Sequence, residues 1–565
     1  MHSVLIIGGR IFKEHPLITD FFIIMMVWSI TLGIVNPFGN FPLNDDWHYG
    51  LAVERMLEDG EFHPTRSTAM TLVSQVLWGA LFCLFFGFSF NTLRFSTLTL
   101  SLIGSIGIYL LLRQLNCNRF LSVSGALILL LNPIYFSLSN SFMTDVPFLT
   151  CIIFVLLFFI RFLEDESDID LIFGTVLLII AILCRQLGLF LPAAFGVVIL
   201  VSKGFSLKWT MRALIPIIVS SIVLLVHNEW LELSGNIPAY YGIKERELFT
   251  ILKQPSVVII NIIYNIVIAL LYLGFFLFPF LIFLNIFITE KGKWRLRFSI
   301  TVFFLFVVFV SSWLFSHNRL MPLSGNILFK GGIGPILLRD EFILHLNHYQ
   351  EIRNGFWLFI TIISIVGGGI LLSYLTSKII DLTQNLKHFR ENLNNVFFLL
   401  CILIYFLPIS IHGFYDRYLL PFIPILLAII VPSMKSSNMR KKKLLIGVSI
   451  LSFSLIAFLG IAGTRDYLTW NRIRWKALNK LVLEEKIPPS QIDGGLEFNG
   501  LYLCRPAYYN YYDKSGSKSW WWVIDDLYMV TMGKVLGYDV KSEYKFFRWI
   551  PPGEGVIYII KRPTL

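Results

Sequence analysis

Thirteen apolar runs, each of at least sixteen residues, follow one another along this 565-residue chain, and they constrain its fold more than any other feature. A helix needs about 20 apolar residues to cross the hydrocarbon of a bilayer. The runs fall near 17–36, 92–112, 120–138, 146–163, 170–185, 187–202, 212–227, 257–283, 298–314, 356–376, 394–411, 417–433 and 444–463. With 56% hydrophobic and 15% charged residues, the chain has too little charge to coat a soluble globule. The expectation is a polytopic α-helical membrane protein with about 13 transmembrane helices.

One more stretch, 68–88, is long enough to span. Counting it as a crossing would place Asp45 and Asp145 on opposite sides of the membrane, so it is read as an interfacial or re-entrant helix on the outer face. Charge in the loops tests this choice. With the N-terminus cytoplasmic, the inner segments 1–16, 113–119, 161–170, 203–212, 290–299, 377–393 and 434–444 hold 20 Lys and Arg in 81 positions. The outer loops 37–90, 139–145, 228–256, 315–356 and 412–417 hold 10 in 138. The acidic inner loop EDESDID at 164–170 stands against the trend, but acidic residues weigh little in that rule.

The net charge of +11 is spread over these short loops, where it orients a membrane protein, so nucleic acid is not an expected partner. Six scattered cysteines without a CxxC pair imply neither a disulfide framework nor a zinc knuckle. No small-residue cleavage site follows the first span, which is read as a retained helix. Residues 464–565 have ordinary soluble composition and are expected to form a small α/β extracytoplasmic domain after a membrane domain at 1–463.

Functional candidates gather on the outer face. In NFPLNDDWHYG, residues 40–50, Asp45 and Asp46 are paired acids just after the first span, followed by Trp47 and His48. A carboxylate near lipid is costly to ionise unless partnered; alternatively, both acids cap the helix that starts there. Asp145 precedes another span, where an acid also suits a helix start beside Pro147. Arg185 interrupts the apolar run 171–200, which as one helix would be about 45 Å long, too long for one span. The run therefore breaks into two helices at an arginine, either a functional cation or one snorkelling to the interface. His412, Asp416, Arg417 and Tyr418 mark an outer helix start, which also reads as an interfacial belt. Carboxylates and guanidinium groups from distant parts of the chain thus share one surface, as a site for an anionic group would require.

These features in order, a DD after the first helix, a long loop with interfacial helices, an outer Asp before a later span, RYLLP at 417–421 and a C-terminal outer domain, resemble the GT-C glycosyltransferases. The nearest branch is that of the protein O-mannosyltransferases and lipid A aminoarabinose transferases (glycosyltransferase family 39-like). The resemblance covers about 1–463; IDGGLEFNG in the tail is similar to tails of uncharacterised bacterial members. It implies a GT-C fold and inverting transfer of a sugar from a polyprenyl-phosphate donor to a lipid, glycan or protein acceptor on the outer face, in contact with membrane lipids. Neither a phosphate-binding loop nor a dinucleotide fingerprint is present, and a lipid-phosphate donor needs neither.

By position in the motif, the resemblance makes Asp45 the general base, Asp46 a supporting or acceptor-binding group, and Asp145 a group that fixes the acceptor or shares the proton. Asp46 departs from the DE form of the branch. Arg185 and Arg417 would contact phosphate, as would Arg66, which lies where the aminoarabinose transferases carry a Lys but at a spacing that does not match well. Tyr418, His412, Trp47 and His48 would contact substrate. No cofactor or metal is expected to be obligatory, although a divalent ion stays open because oligosaccharyltransferases of the superfamily use one. His345 and His348 with Glu341 and Glu351 form an incidental zinc candidate or are simply polar loop residues. Trp520, Trp521 and Trp522 would stack on sugars or anchor at the interface. The competing readings are a transporter or flippase of lipid-linked sugars, which would favour inverted repeats that the chain lacks, and an O-antigen polymerase or ligase, which the loop at 315–356 keeps open.

Overall fold

The structure, a computed structural model, describes residues 16–284, 293–383, 392–434, 443–504, 521–523 and 525–563. Helix α1 (Pro16–Val35) leads into α2 (Asp46–Asp59), α3 (Val73–Phe86), α4 (Phe90–Gln114), α5 (Arg119–Leu130) and α6 (Pro133–Ser139). Then come α7 (Asp145–Asp165), α8 (Asp168–Cys184), α9 (Phe190–Lys203), α10 (Leu207–Leu233), α11 (Ala239–Leu252) and α12 (Pro255–Leu281). Helices α13 (Lys293–Ser316), α14 (Asn354–Thr383), α15 (Leu393–His412), α16 (Phe422–Ser433) and α17 (Lys443–Asn479) complete the bundle.

Among the described residues, 11 helices are long and apolar enough to cross a membrane, and 12 if α5 and α6, bent by 65°, form one span. The bend has a local cause: the Asn132 side chain accepts the N–H groups of Ile134 and Tyr135 and Pro133 opens the new helix, so the backbone restarts there. The 17-residue α8 is the remaining run of the thirteen. At 14 residues α3 is about 21 Å long, short of the ~30 Å hydrocarbon. This agrees with a segment 68–88 that does not cross.

The acidic segment at 164–170 is explained by pairing. Arg161 meets Asp170 at 3.1 Å, Arg212 meets Asp168 at 2.8 Å and Lys203 meets Glu166 at 2.5 Å. Elsewhere the bundle closes on glycine: a Cβ at Gly274 of α12 would lie 2.2 Å from the Gly368 nitrogen of α14, so these two backbones touch.

Helix α17 runs unbroken for 37 residues, about 55 Å. The division at 463/464 therefore falls inside a continuous helix. Its C-terminal turns bury Tyr467, Trp470, Trp475 and Leu478 against a four-stranded sheet. In that sheet β3 (Ile492–Asp493) pairs parallel to β4 (Tyr528–Thr531), and β6 (Pro552–Lys561) lies antiparallel between β4 and β5 (Asp539–Trp549); β1 (Leu328–Phe329) and β2 (Gly332–Ile333) form a separate two-stranded hairpin. The mixed α/β tail expected from the sequence is present. Its core also takes in Leu32, Val35, Phe41 and Leu43, so the tail is seated on the C-terminal end of α1 and the loop that follows.

Candidate active site

The loop from α1 to α2 carries the paired acids, and its backbone is pinned at nearly every residue. Arg94 of α4 donates to the carbonyls of Pro37 (2.5 Å), Gly39 (2.9 Å) and Phe41 (2.9 Å). Asn91 accepts from the Gly39 amide at 2.7 Å, and Asn40 accepts from the Phe90 amide at 2.9 Å. The Asp46 carboxylate accepts the amides of Leu43 at 2.5 Å and Phe142 at 3.0 Å. Asn44, in the left-handed region at φ +56°, gives its amide to Glu497 at 3.1 Å.

The result is to separate the two acids. Asp46 is 1% exposed, with both oxygens on backbone amides; burial pushes its carboxyl up to about 7. Asp45 precedes α2 but makes no side-chain cap hydrogen bond, so it is not spent on closing the helix. Its side chain is 32% exposed and lies 3.5 Å from an Arg417 nitrogen.

Arg417 brings distant segments together. Asp145 opens α7, Arg185 sits in extended backbone (φ −148°, ψ 123°) at the break after α8, and Arg417 lies in the 3₁₀ turn Asp416–Leu419. Arg185 Nη1 donates to Asp145 Oδ1, and Arg417 Nη1 lies 3.8 Å from Asp145 Oδ2. The Arg185 guanidinium is 5.1 Å from the Tyr418 ring centre and 5.7 Å from that of Phe148; Arg417 is 5.8 Å from Tyr418. Asp45 and Asp145 thus share one face, as the reading of 68–88 requires.

Both arginines are buried, yet their hydrogen bonding is incomplete. Among the described residues, Arg185 Nε and Nη2, Arg417 Nε and Nη1, and Asp145 Oδ2 have no hydrogen-bond partner. Leaving a buried charged donor unpaired costs more than ~1–3 kcal/mol. Four guanidinium nitrogens collected around one carboxylate can instead be met by a multi-oxygen anion such as a phosphate, which arginine binds bidentately.

The other predicted residues divide. Tyr418 belongs to the cluster through its ring. His48 is buried next to Asp45, its Nδ1 3.4 Å from Thr68 Oγ1, and burial holds it down to about 4, so it is neutral at pH 7. Trp47 is buried against Gly500 and the Trp522 ring at 5.4 Å. His412 is bonded to Glu247 of α11 at 2.9 Å and is not brought into the cluster. Arg66 is exposed, with its carbonyl accepting the Tyr240 amide. Asp416 is committed to the amides of Ile327 and Leu328. Trp520 lies outside the described residues, and Trp521 packs on Phe342.

Of the zinc candidates, Glu341 and His348 do meet, together with Asp340, within 4.8 Å. His348 Nδ1 is 3.0 Å from Asp340, and Glu341 accepts the His348 and Tyr349 amides, bonds that already account for the grouping. His345 and Glu351 are not part of it. A cavity of about 390 Å³ lined by Leu115, Leu163, Glu164 and Asn394 lies at the other end of α7 from Asp145, roughly 28 Å along the helix. It is therefore separate from the arginine cluster.

Sequence reading missed Arg94 and Glu497. Arg94 carried a signal, a lone charge at the start of an apolar run. Glu497 carried almost none, apart from the Gly494–Gly495 pair before α18 (Leu496–Leu503), where Gly495 has φ +89°.

Residues 73–230, under a third of the chain, match the family model described as dolichyl-phosphate-mannose-protein mannosyltransferase. That segment contains Asp145 and Arg185, whereas Asp45 and Arg417 lie outside it. No curated protein matches the chain. Among solved structures, ArnT from Cupriavidus metallidurans bound to undecaprenyl phosphate is 13% identical, with 96% of this chain and 97% of that one covered at a TM-score of 0.46. The oligosaccharyltransferase AglB from Archaeoglobus fulgidus, in complex with an inhibitory peptide and a dolichol-phosphate, is 15% identical, with 86% and 59% covered at 0.42. Likenesses this distant carry no weight for the site. Over its matched segment the chain is similar to the dolichyl-phosphate-mannose-protein mannosyltransferases, and the resemblance of its motifs to GT-C glycosyltransferases of the O-mannosyltransferase and aminoarabinose-transferase branch stands.

Proposed function

We propose that this multi-pass membrane protein is an inverting glycosyltransferase that moves a sugar from a polyprenyl-phosphate donor to an acceptor on the outer face of the membrane. The observation that carries the reading is the pair of buried arginines, Arg185 and Arg417, with unpartnered nitrogens beside a half-exposed Asp45. Inversion needs one in-line displacement. The acceptor oxygen bonds to the anomeric carbon, the bond from that carbon to the phosphate oxygen breaks, and the acceptor proton passes to the Asp45 carboxylate. The leaving polyprenyl phosphate gains a negative charge, which Arg185 and Arg417 are placed to stabilise. Asp145 holds the two cations in register, Asp46 and Arg94 fix the loop that aims Asp45, and the apolar helices supply a groove for the prenyl chain.

The test is purified protein in liposomes with a radiolabelled polyprenyl-phosphate sugar and a mixed pool of envelope acceptors. Label moving to an acceptor, with release of polyprenyl phosphate, supports transfer. Label that only changes leaflet supports a flippase and sinks the proposal. Reporters fused after residues 90 and 465 should both report the outside; a cytoplasmic report at 90 would remove the outer-face site.

A further inference from the structure

We infer that Glu497, in the C-terminal tail, is a positioning residue for Asp45, so that the outer domain is a working part of the transferase site and not an appendage. The inference rests on the proposed glycosyltransferase reading. Its physical basis is a chain of contacts running from α17 through α18 to the loop of paired acids. Arg474 of α17 and Glu497 of α18 are both 0% exposed and pair at 2.9 Å. Arg474 spends its other donors on the Gly494 carbonyl, at 3.0 and 2.7 Å, and on Asn471 at 3.2 Å. This leaves Glu497 Oε1 aimed at the loop, where it accepts the Asn44 amide.

The residue that receives this bond sits in a constrained backbone conformation. Asn44 is held at φ +56°, a conformation that a non-glycine residue adopts at a cost, and it directly precedes Asp45. Without an acceptor for its amide, Asn44 keeps, among backbone bonds, only the turn from the Asp46 amide to the Leu43 carbonyl, at 3.2 Å, against relaxation to ordinary backbone, and such a relaxation would swing Asp45. The neighbouring contacts share the same purpose. A Cβ at Gly495 would lie 2.5 Å from the Leu337 carbonyl and 2.9 Å from Arg474 Nη2, and one at Gly500 would lie 2.4 Å from the Trp47 ring. Glycine at 495 lets the start of α18 close on Leu337 and Arg474, and glycine at 500 lets α18 lie against Trp47, two residues after Asp45.

The experiment uses two double variants of the full chain, because removing one partner of a buried pair risks the fold, whereas an apolar pair of similar volume keeps it. Arg474→Met with Glu497→Met deletes the acceptor; Arg474→Met with Glu497→Gln removes the charge but keeps an oxygen for Asn44. Hydrogen exchange at residues 40–48 and turnover of a polyprenyl-phosphate sugar are read on both. The Met/Met variant should lose protection at Asn44 and about 10²-fold in kcat, the scale of a misplacement near 1 Å, with KM for the donor unchanged. The Met/Gln variant should recover both. Retained Asn44 protection in Met/Met, or a loosened loop with wild-type kcat, would overturn the inference. Equal losses in both variants would also overturn it, since they would mark a purely structural pair. Wild-type protein inactive on every polyprenyl-phosphate sugar would instead remove the underlying reading, a failure recognisable before any substitution is made.

Discussion

Two buried arginine groups in this molecule look alike in composition and differ in how they end. Around Arg474, the guanidinium nitrogens and both Glu497 oxygens have partners within the chain. Around Asp145, Arg185 and Arg417 keep four nitrogens without one among the described residues. A buried pair that closes its own hydrogen bonds acts as a scaffold. One that leaves charged donors open pays a standing desolvation cost that a third, anionic group would offset. The acids divide in the same way: Asp46 is consumed by backbone amides, whereas Asp45, one residue earlier, keeps an accessible carboxylate.

The largest expected effect separates those two acids. Asp45→Asn keeps the side-chain size, and Asp45 makes no cap hydrogen bond to lose, so folding and polyprenyl-phosphate affinity should hold while turnover falls by about 10²–10⁴, or roughly 3–5 kcal/mol. Single-turnover kinetics with donor in excess would measure it, and near-normal turnover would remove Asp45 as the base. On the closed pair, Arg474→Met alone strands Glu497 in the core and should cost about 3–5 kcal/mol of stability. Thermal unfolding would show this, and an unchanged melt would mean that the pair is not the scaffold described.

A smaller effect belongs to the open cluster. Arg185→Met should weaken polyprenyl-phosphate binding by about 10–100-fold, as expected for a charged hydrogen bond worth ~1.5–3 kcal/mol, with a smaller fall in melting temperature than for Arg474→Met. A large melting loss with intact lipid affinity would reverse the comparison. The smallest effect is one of pH. Burial pushes Asp46 up to about 7, above the ~4 of an unfolded Asp, so the stability it contributes is whole below about pH 4 and is lost as pH rises through 7. Between pH 5 and 8, wild type should therefore lose stability with rising pH more steeply than Asp46→Asn, and equal slopes would contradict that environment.

The bundle was legible because apolar length is a local property. The break at Arg185 could be read from run length alone, since a helix longer than the bilayer cannot hide. The run at 68–88, by contrast, is long enough to span, and its reading as non-crossing rests on keeping Asp45 and Asp145 on one side. Asp45, Asp145, Arg185 and Arg417 stood out because charge beside lipid is rare. His412 was drawn toward Glu247 and Arg66 toward solvent because one-dimensional proximity says nothing about which way a side chain turns. The distinction between Asp45 and Asp46 was hidden for the same reason: it depends on the Phe142 amide, 96 residues away. Glu497 lies 453 residues from Asn44, and no periodicity or spacing connects them.

On the proposed function, Arg185 and Arg417 await a lipid-linked phosphate. The most direct measurement compares binding of a polyprenyl phosphate with binding of the matching polyprenol, on wild type, Arg185→Met and Arg417→Met in nanodiscs. The two lipids share the prenyl chain and differ only in the group that the arginines would hold. Wild type should prefer the phosphate by at least about tenfold, within the worth of one charge-assisted contact, and each variant should lose most of that preference while binding polyprenol as before. Equal binding of the two lipids by wild type, or a phosphate preference that survives in both variants, would contradict the account.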